Sequence, residues 1–115
     1  MQQIVDLQNY PAFQDLNVAY LSIAFDSPAE LSAGALEYGT EIPLLTDSDH
    51  QVAIDYEVLQ WATGSGEPGH TFILVNTDGT VAWIQDYGAP ENGGVMYVPV
   101  DELTQNIQAS LEAAE

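Results

Sequence analysis

The residues best placed for chemistry lie in Asp47-Ser48-Asp49-His50-Gln51, where two carboxylates and an imidazole fall within four positions. Alternating acids of this kind open calcium-binding loops. Such a loop, however, needs glycine at its sixth position and glutamate at its twelfth, and here Val52 and Val58 stand there. The segment therefore reads first as a helix N-terminus whose acids meet the helix dipole. An opportunistic cation on Asp47, Asp49 and His50 is the secondary expectation. His50 and His70 are the only histidines, and neither belongs to an H-E-x-x-H pattern. Gly64-Ser65-Gly66-Glu67-Pro68-Gly69 satisfies G-x-G-x-x-G to the letter, but it contains proline and leads into an apolar strand. A dinucleotide loop does the reverse, leaving a strand and opening a helix. A glycine-rich connection is expected instead. No G-x-S-x-G elbow anchors a serine nucleophile. Eighteen acids offer too many pairs for any one to mark a carboxylate hydrolase.

Three residue types are missing, and their absence removes more function than the motifs supply. The 115 residues include no cysteine, lysine or arginine, and the formal charge is −18. An ordinary domain of this size would carry roughly fourteen basic residues. Without them there is no phosphate clamp, Schiff-base lysine or basic surface for nucleic acid. Without cysteine there is no thiolate nucleophile, disulfide or zinc–thiolate site. The negative field also argues against anionic membranes, and no cofactor is expected. Removal of every cation implies engineering, with halophilic selection as the other reading. Gln2, Gln3, Gln51, Gln85 and Gln108 occupy positions where Lys or Arg would be at home.

Self-repulsion among so many acids gives an electrostatic expectation. Folded carboxylate pKa values should be raised on average, so that stability increases as pH falls from 8 toward 5 and as salt is added.

The apolar pattern predicts one domain over residues 1–115. A short helix over 2–8 is interrupted at Pro11, and an apolar face continues through Phe13 and Leu16 to Asn17. Val18 to Phe25 is apolar almost throughout, as in a strand covered on both faces. Ser27-Pro28-Ala29-Glu30 combines an N-cap, a first-turn proline and a capping-box glutamate, and Gly39 closes that helix. Residues 42–45 read as extended, and 46–58 as a helix with Val52, Ala53, Tyr56 and Val58 inward. Thr71–Val75 and 80–87 form a hairpin around Asn76-Thr77-Asp78-Gly79. Pro99 starts a last helix with Leu103, Ile107 and Leu111 on one face. Neither a membrane span nor a signal peptide is expected, since the start MQQIVDLQN has no basic residue and no long apolar run.

Four segments, in this order and spacing, carry a family resemblance: LSIAFDSPAEL, IPLLTDSDHQVAIDYEV, GEPGHTFILVNTDGTVAWIQDYG and GGVMYVPVDEL. From Leu7 to Leu111 the chain resembles the C-terminal two-thirds of a peroxiredoxin-like (AhpC/TSA, redoxin) domain. The resemblance implies an α/β, three-layer thioredoxin-like fold. In truncated form this would have a mixed sheet of about three strands flanked by about four helices. It also implies a soluble, cytoplasmic parent, and in the family a peroxidatic cysteine that lies at the start of the first core helix, just after a central strand, and is activated by an arginine. No position here matches either residue, so no catalytic residue is carried over. The expected function is a non-catalytic, Lys/Arg-free variant of such a domain. The alternative is an acidic module for metal cations or a basic partner. Of two ways to cover the strand 18–25, pairing directly with 71–75 in the order 18–25, 71–75, 80–87 or edge-to-edge pairing in a homodimer, the dimer is expected.

Overall fold

The computed structural model describes residues 2–62, 70–95 and 97–113 and divides into two units, Met1–Glu57 and Val58–Glu115. In the first unit, α1 (Gln2–Gln8) is followed by the single turn of α2 (Pro11–Gln14). Proline suits the first turn of α2 because its missing N–H has no intrahelical acceptor there. Asn17 takes a left-handed conformation (φ 57°) and ends the helical stretch. Three residues form β1 (Ser22–Ala24), which runs parallel to β2 (Leu44–Thr46) with Ile23 opposite Leu45.

Between these strands lies α3 (Pro28–Tyr38), which packs on β2. Its start is the expected capping box. The Ser27 hydroxyl accepts from the Glu30 amide at 3.2 Å, and the Glu30 carboxylate accepts from the Ser27 amide at 3.2 Å. Its end is Gly39, left-handed at φ 73°, a conformation that costs a residue with a Cβ but not glycine. The short α4 (Gln51–Asp55) completes this unit, whose buried apolar residues are Leu7, Phe13, Leu31 and Ala53.

In the second unit a 3₁₀ turn over Val58–Trp61 occupies the start of the stretch expected to be loop. The hairpin of β3 (Thr71–Val75) and β4 (Val81–Asp86) is antiparallel and pairs Thr71 with Asp86 and Leu74 with Trp83. The register shifts at Leu74/Val75, next to the turn. The long α5 (Val100–Ala113) lies against β4 and buries Leu103, Thr104 and Ile107. Leu74 and Val98 are buried with them, whereas Leu111 is half-buried.

Three features differ from the sequence pattern. Among the described residues four strands form two two-stranded sheets rather than one sheet of about three, and β1 pairs with β2. β1 is also shorter than the apolar run 18–25. The Ser22 amide donates to the Pro43 carbonyl at 3.0 Å, and at Pro43 the facing strand has no N–H to give back, so the ladder stops there. In α4, Ala53 is buried while Val52 and Tyr56 are exposed: with only five residues, the helix has one inward position.

Candidate functional site

Asp47 is 3% exposed and sits just beyond β2. Its amide donates to the Ala24 carbonyl at 2.7 Å, which ties it to the end of β1. Its Oδ1 accepts from the Val52 amide at 3.0 Å and its Oδ2 from the Ala53 amide at 2.9 Å. Both oxygens thus satisfy amides that the first turn of α4 leaves without acceptors. Asp49 Oδ1 accepts from the Gln51 amide at 3.2 Å. His50 is left-handed (φ 62°), and its ring stacks on Phe25 at 3.8 Å with planes 8° apart. The three residues singled out for a cation are therefore engaged in capping and stacking. Among the described residues no three histidine or carboxylate side chains are grouped as a metal site requires. The Gly64–Gly69 motif lies outside the described residues.

A second carboxylate, which no motif singles out, organises the other unit. Asp86 is 2% exposed at the end of β4. The Thr71 hydroxyl donates to its Oδ1 at 2.7 Å, and the Ala89 amide and Asn92 Nδ2 both donate to Oδ2 at 2.9 Å. One charge thus joins the strand pair to the turn that follows. Beside it, the Tyr87 amide donates to the His70 carbonyl at 2.8 Å, and Asn106 Nδ2 of α5 donates to the Tyr87 hydroxyl at 2.9 Å. Phe72 stands edge-on to both His70 and Tyr87. The visible signal for Asp86 is a charged residue at the end of a mostly apolar strand, and it does not distinguish an inward from an outward side chain.

These contacts set the direction of each titration. For Asp47, burial works to raise the pKa, but the Val52 and Ala53 amides, with Asp49 and His50, outweigh it and hold the value below the usual carboxylate range. Asp86 is also lowered, its burial overcome by Asn92, the Ala89 amide, Thr71 and the Gly88 amide. Glu30 is lowered by the Ser27 hydroxyl and amide, and Asp78 by the Thr80 hydroxyl and amide. The rise expected from self-repulsion thus appears at none of these four. A hydrogen bond acts at contact, whereas repulsion between exposed charges is screened beyond roughly 10 Å at 0.1 M salt. Burial lowers His70 against the pull of Asp86, and burial raises Tyr20 to about 12.

The pH prediction therefore changes sign. A lowered folded pKa means that the unfolded chain binds more protons as pH falls, so stability is lost on acidification. The loss should begin near the unfolded histidine value, about pH 6.5, and steepen below the unfolded carboxylate values of about 4. A raised tyrosine pKa costs stability as pH climbs past about 10. Denaturant midpoints measured from pH 3 to 11 should form a plateau between these limbs. Midpoints that rise from pH 7 to pH 4 would restore self-repulsion as the governing effect.

A parallel β–α–β unit and an antiparallel hairpin backed by a C-terminal helix place the chain among α/β proteins of the thioredoxin-like class. Residues 2–84 match the family model described as the AhpC/TSA family, and the chain belongs to that family. Among solved structures it is similar to the reduced 2-Cys peroxiredoxin of Plasmodium vivax, with a TM-score of 0.73 and 24% identity over 98% of this chain and 69% of that one. At that identity the likeness speaks for the fold. Comparison with curated proteins gives no match. With no cysteine among its 115 residues, the chain cannot form the thiolate on which thiol peroxidase chemistry depends. Among the described residues no helix is long and apolar enough to cross a membrane.

Proposed function

We propose that this is a non-catalytic AhpC/TSA domain from which the basic residues have been engineered out. The observation that carries the reading is where the glutamines fall. Gln2 Nε2 donates to Asp6 at 2.7 Å, Gln51 Nε2 to Asp55 at 2.7 Å and Gln108 Nε2 to Glu112 at 3.4 Å. All three pairs have the i,i+4 spacing at which helices place a cation beside an acid. Each glutamine is a neutral donor doing what lysine or arginine does elsewhere. Gln3 and Gln85 depart from this pattern: Gln3 is buried, and Gln85 Nε2 donates to the Asp86 backbone carbonyl at 3.0 Å.

Restoring lysine at Gln2, Gln51 and Gln108 together is expected to stabilise the fold by about 1 kcal/mol, at about 0.2–0.5 kcal/mol per pair. Thermal melts in low salt check this, and a triple variant that melts no higher than the parent would remove the argument. A second reading, an acidic module for a basic partner, draws support from exposed Asp26, Glu30 and Asp49 near the ends of β1 and β2 in a chain with no side-chain cation besides histidine.

A further inference from the structure

Asn92 joins a reactive dipeptide to the buried carboxylate of its own unit. It closes a single turn of 3₁₀ helix, Pro90–Asn92, and Gly93 follows it at a positive φ of 109°. Its Nδ2 and the Ala89 amide both donate to Asp86 Oδ2 at 2.9 Å. The Gly93 amide donates to the Pro90 carbonyl at 3.3 Å, the longest of the backbone bonds that shape the turn. The Asn92, Gly94 and Val95 amides donate at 2.9, 3.0 and 2.7 Å. Asn92–Gly93 is the one asparagine–glycine pair in the chain. The other asparagines, Asn9, Asn17, Asn76 and Asn106, precede Tyr10, Val18, Thr77 and Ile107, whose bulky or β-branched side chains crowd the intervening amide. Glycine has no Cβ, so its nitrogen can approach the side chain before it. Asn92 is also part-exposed, which admits water.

We propose that Asn92–Gly93 is a self-modification site, at which conversion of the asparagine to a carboxylate releases the turn from Asp86. The turn first opens locally and frees the Gly93 amide from Pro90. The Gly93 nitrogen then gives its proton to a base from water and attacks Asn92 Cγ. The Cγ–Nδ2 bond breaks, ammonia leaves and a five-membered succinimide closes. Water opens that ring at either carbonyl, leaving aspartate or isoaspartate. The net exchange is one water for one ammonia, with no oxidant or reductant. The product lacks the Nδ2 donor and sets a second carboxylate against Asp86, in a chain with no lysine or arginine to neutralise the pair. Asp78–Gly79 is open to the same ring closure in principle, but an aspartate reacts in its protonated form. The Thr80 amide and hydroxyl, donating to Asp78 Oδ1 at 3.0 and 2.6 Å, keep it ionised. The site is independent of both functional readings above.

The test incubates the whole chain in warm, mildly alkaline buffer and follows it by anion exchange, intact mass and peptide mapping after cleavage at glutamate. A more acidic species is expected, with the mass gain of an amide-to-acid exchange and with isoaspartate at position 92. Conversion there should be about tenfold or more faster than at any other asparagine. Asn92→Asp makes one product directly. Its urea midpoint should lie below the parent's at pH 7, and the deficit should shrink at pH 4 and in an Asp86→Asn background. No conversion at Asn92, or conversion no faster than at the other asparagines, would overturn the site. Conversion that leaves the urea midpoint unchanged would overturn the release of the turn. An Asn92→Asp deficit equal in both backgrounds would overturn the charge contact with Asp86.

Discussion

Replacing Asp86 by alanine is expected to destabilise the protein by about 3–5 kcal/mol, because hydrogen bonds to a charged group are among the stronger ones and their loss strands buried donors. The Thr71 hydroxyl, the Ala89 amide and Asn92 Nδ2 all lose their acceptor. Domains of this size are stable by only about 5–15 kcal/mol in total, so the variant would sit near the unfolding threshold. Asp86→Asn should cost much less. Its oxygen can keep the two bonds now made to Oδ2, and its amide can donate to the Thr71 hydroxyl, which is able to turn and accept. It should also lose part of the acid limb of the stability profile, since no charge is left to protonate. Urea midpoints of the two variants at pH 7 and pH 4 check this. Equal costs for alanine and asparagine would mean that the charge, rather than the hydrogen-bond geometry, holds the turn.

The second large effect is expected at Leu103. It is fully buried in α5. Truncation to alanine removes the transfer energy of the lost atoms and leaves a cavity, together about 3–5 kcal/mol. Leu36 supplies the internal control: it is the same residue type on α3 but 87% exposed, and Leu36→Ala should fall within about 0.5 kcal/mol of the parent. Parallel denaturation of the two variants tests whether α5 closes the core of the second unit. Similar midpoints would contradict it.

What could be read from the sequence was local. The Ser27–Glu30 capping box, the Gly39 helix end and the turn at Asn76–Gly79 each depend on a few consecutive residues, and each forms where the sequence puts it. The spacing of Leu103 and Ile107 likewise marked the buried stripe of α5. What escaped was decided across the chain. The length of β1 is set by Pro43, about twenty residues away, and the partner of β1 is a segment that read only as extended. Val52 and Tyr56 point outward because α4 stops after five residues. The lowered pKa values of Asp47 and Asp86 escaped for the same reason. A charge total reports repulsion, while Asp47 and Asp86 are governed by donors that only the fold brings to them.

Peroxide consumption tests the central claim most directly. Purified protein, supplied with dithiothreitol and hydrogen peroxide, should consume peroxide no faster than a protein-free control, because a family built around a thiolate is represented here by a chain without cysteine. Protein-dependent turnover above that control would contradict the account and require a peroxidase chemistry that does not use a thiol.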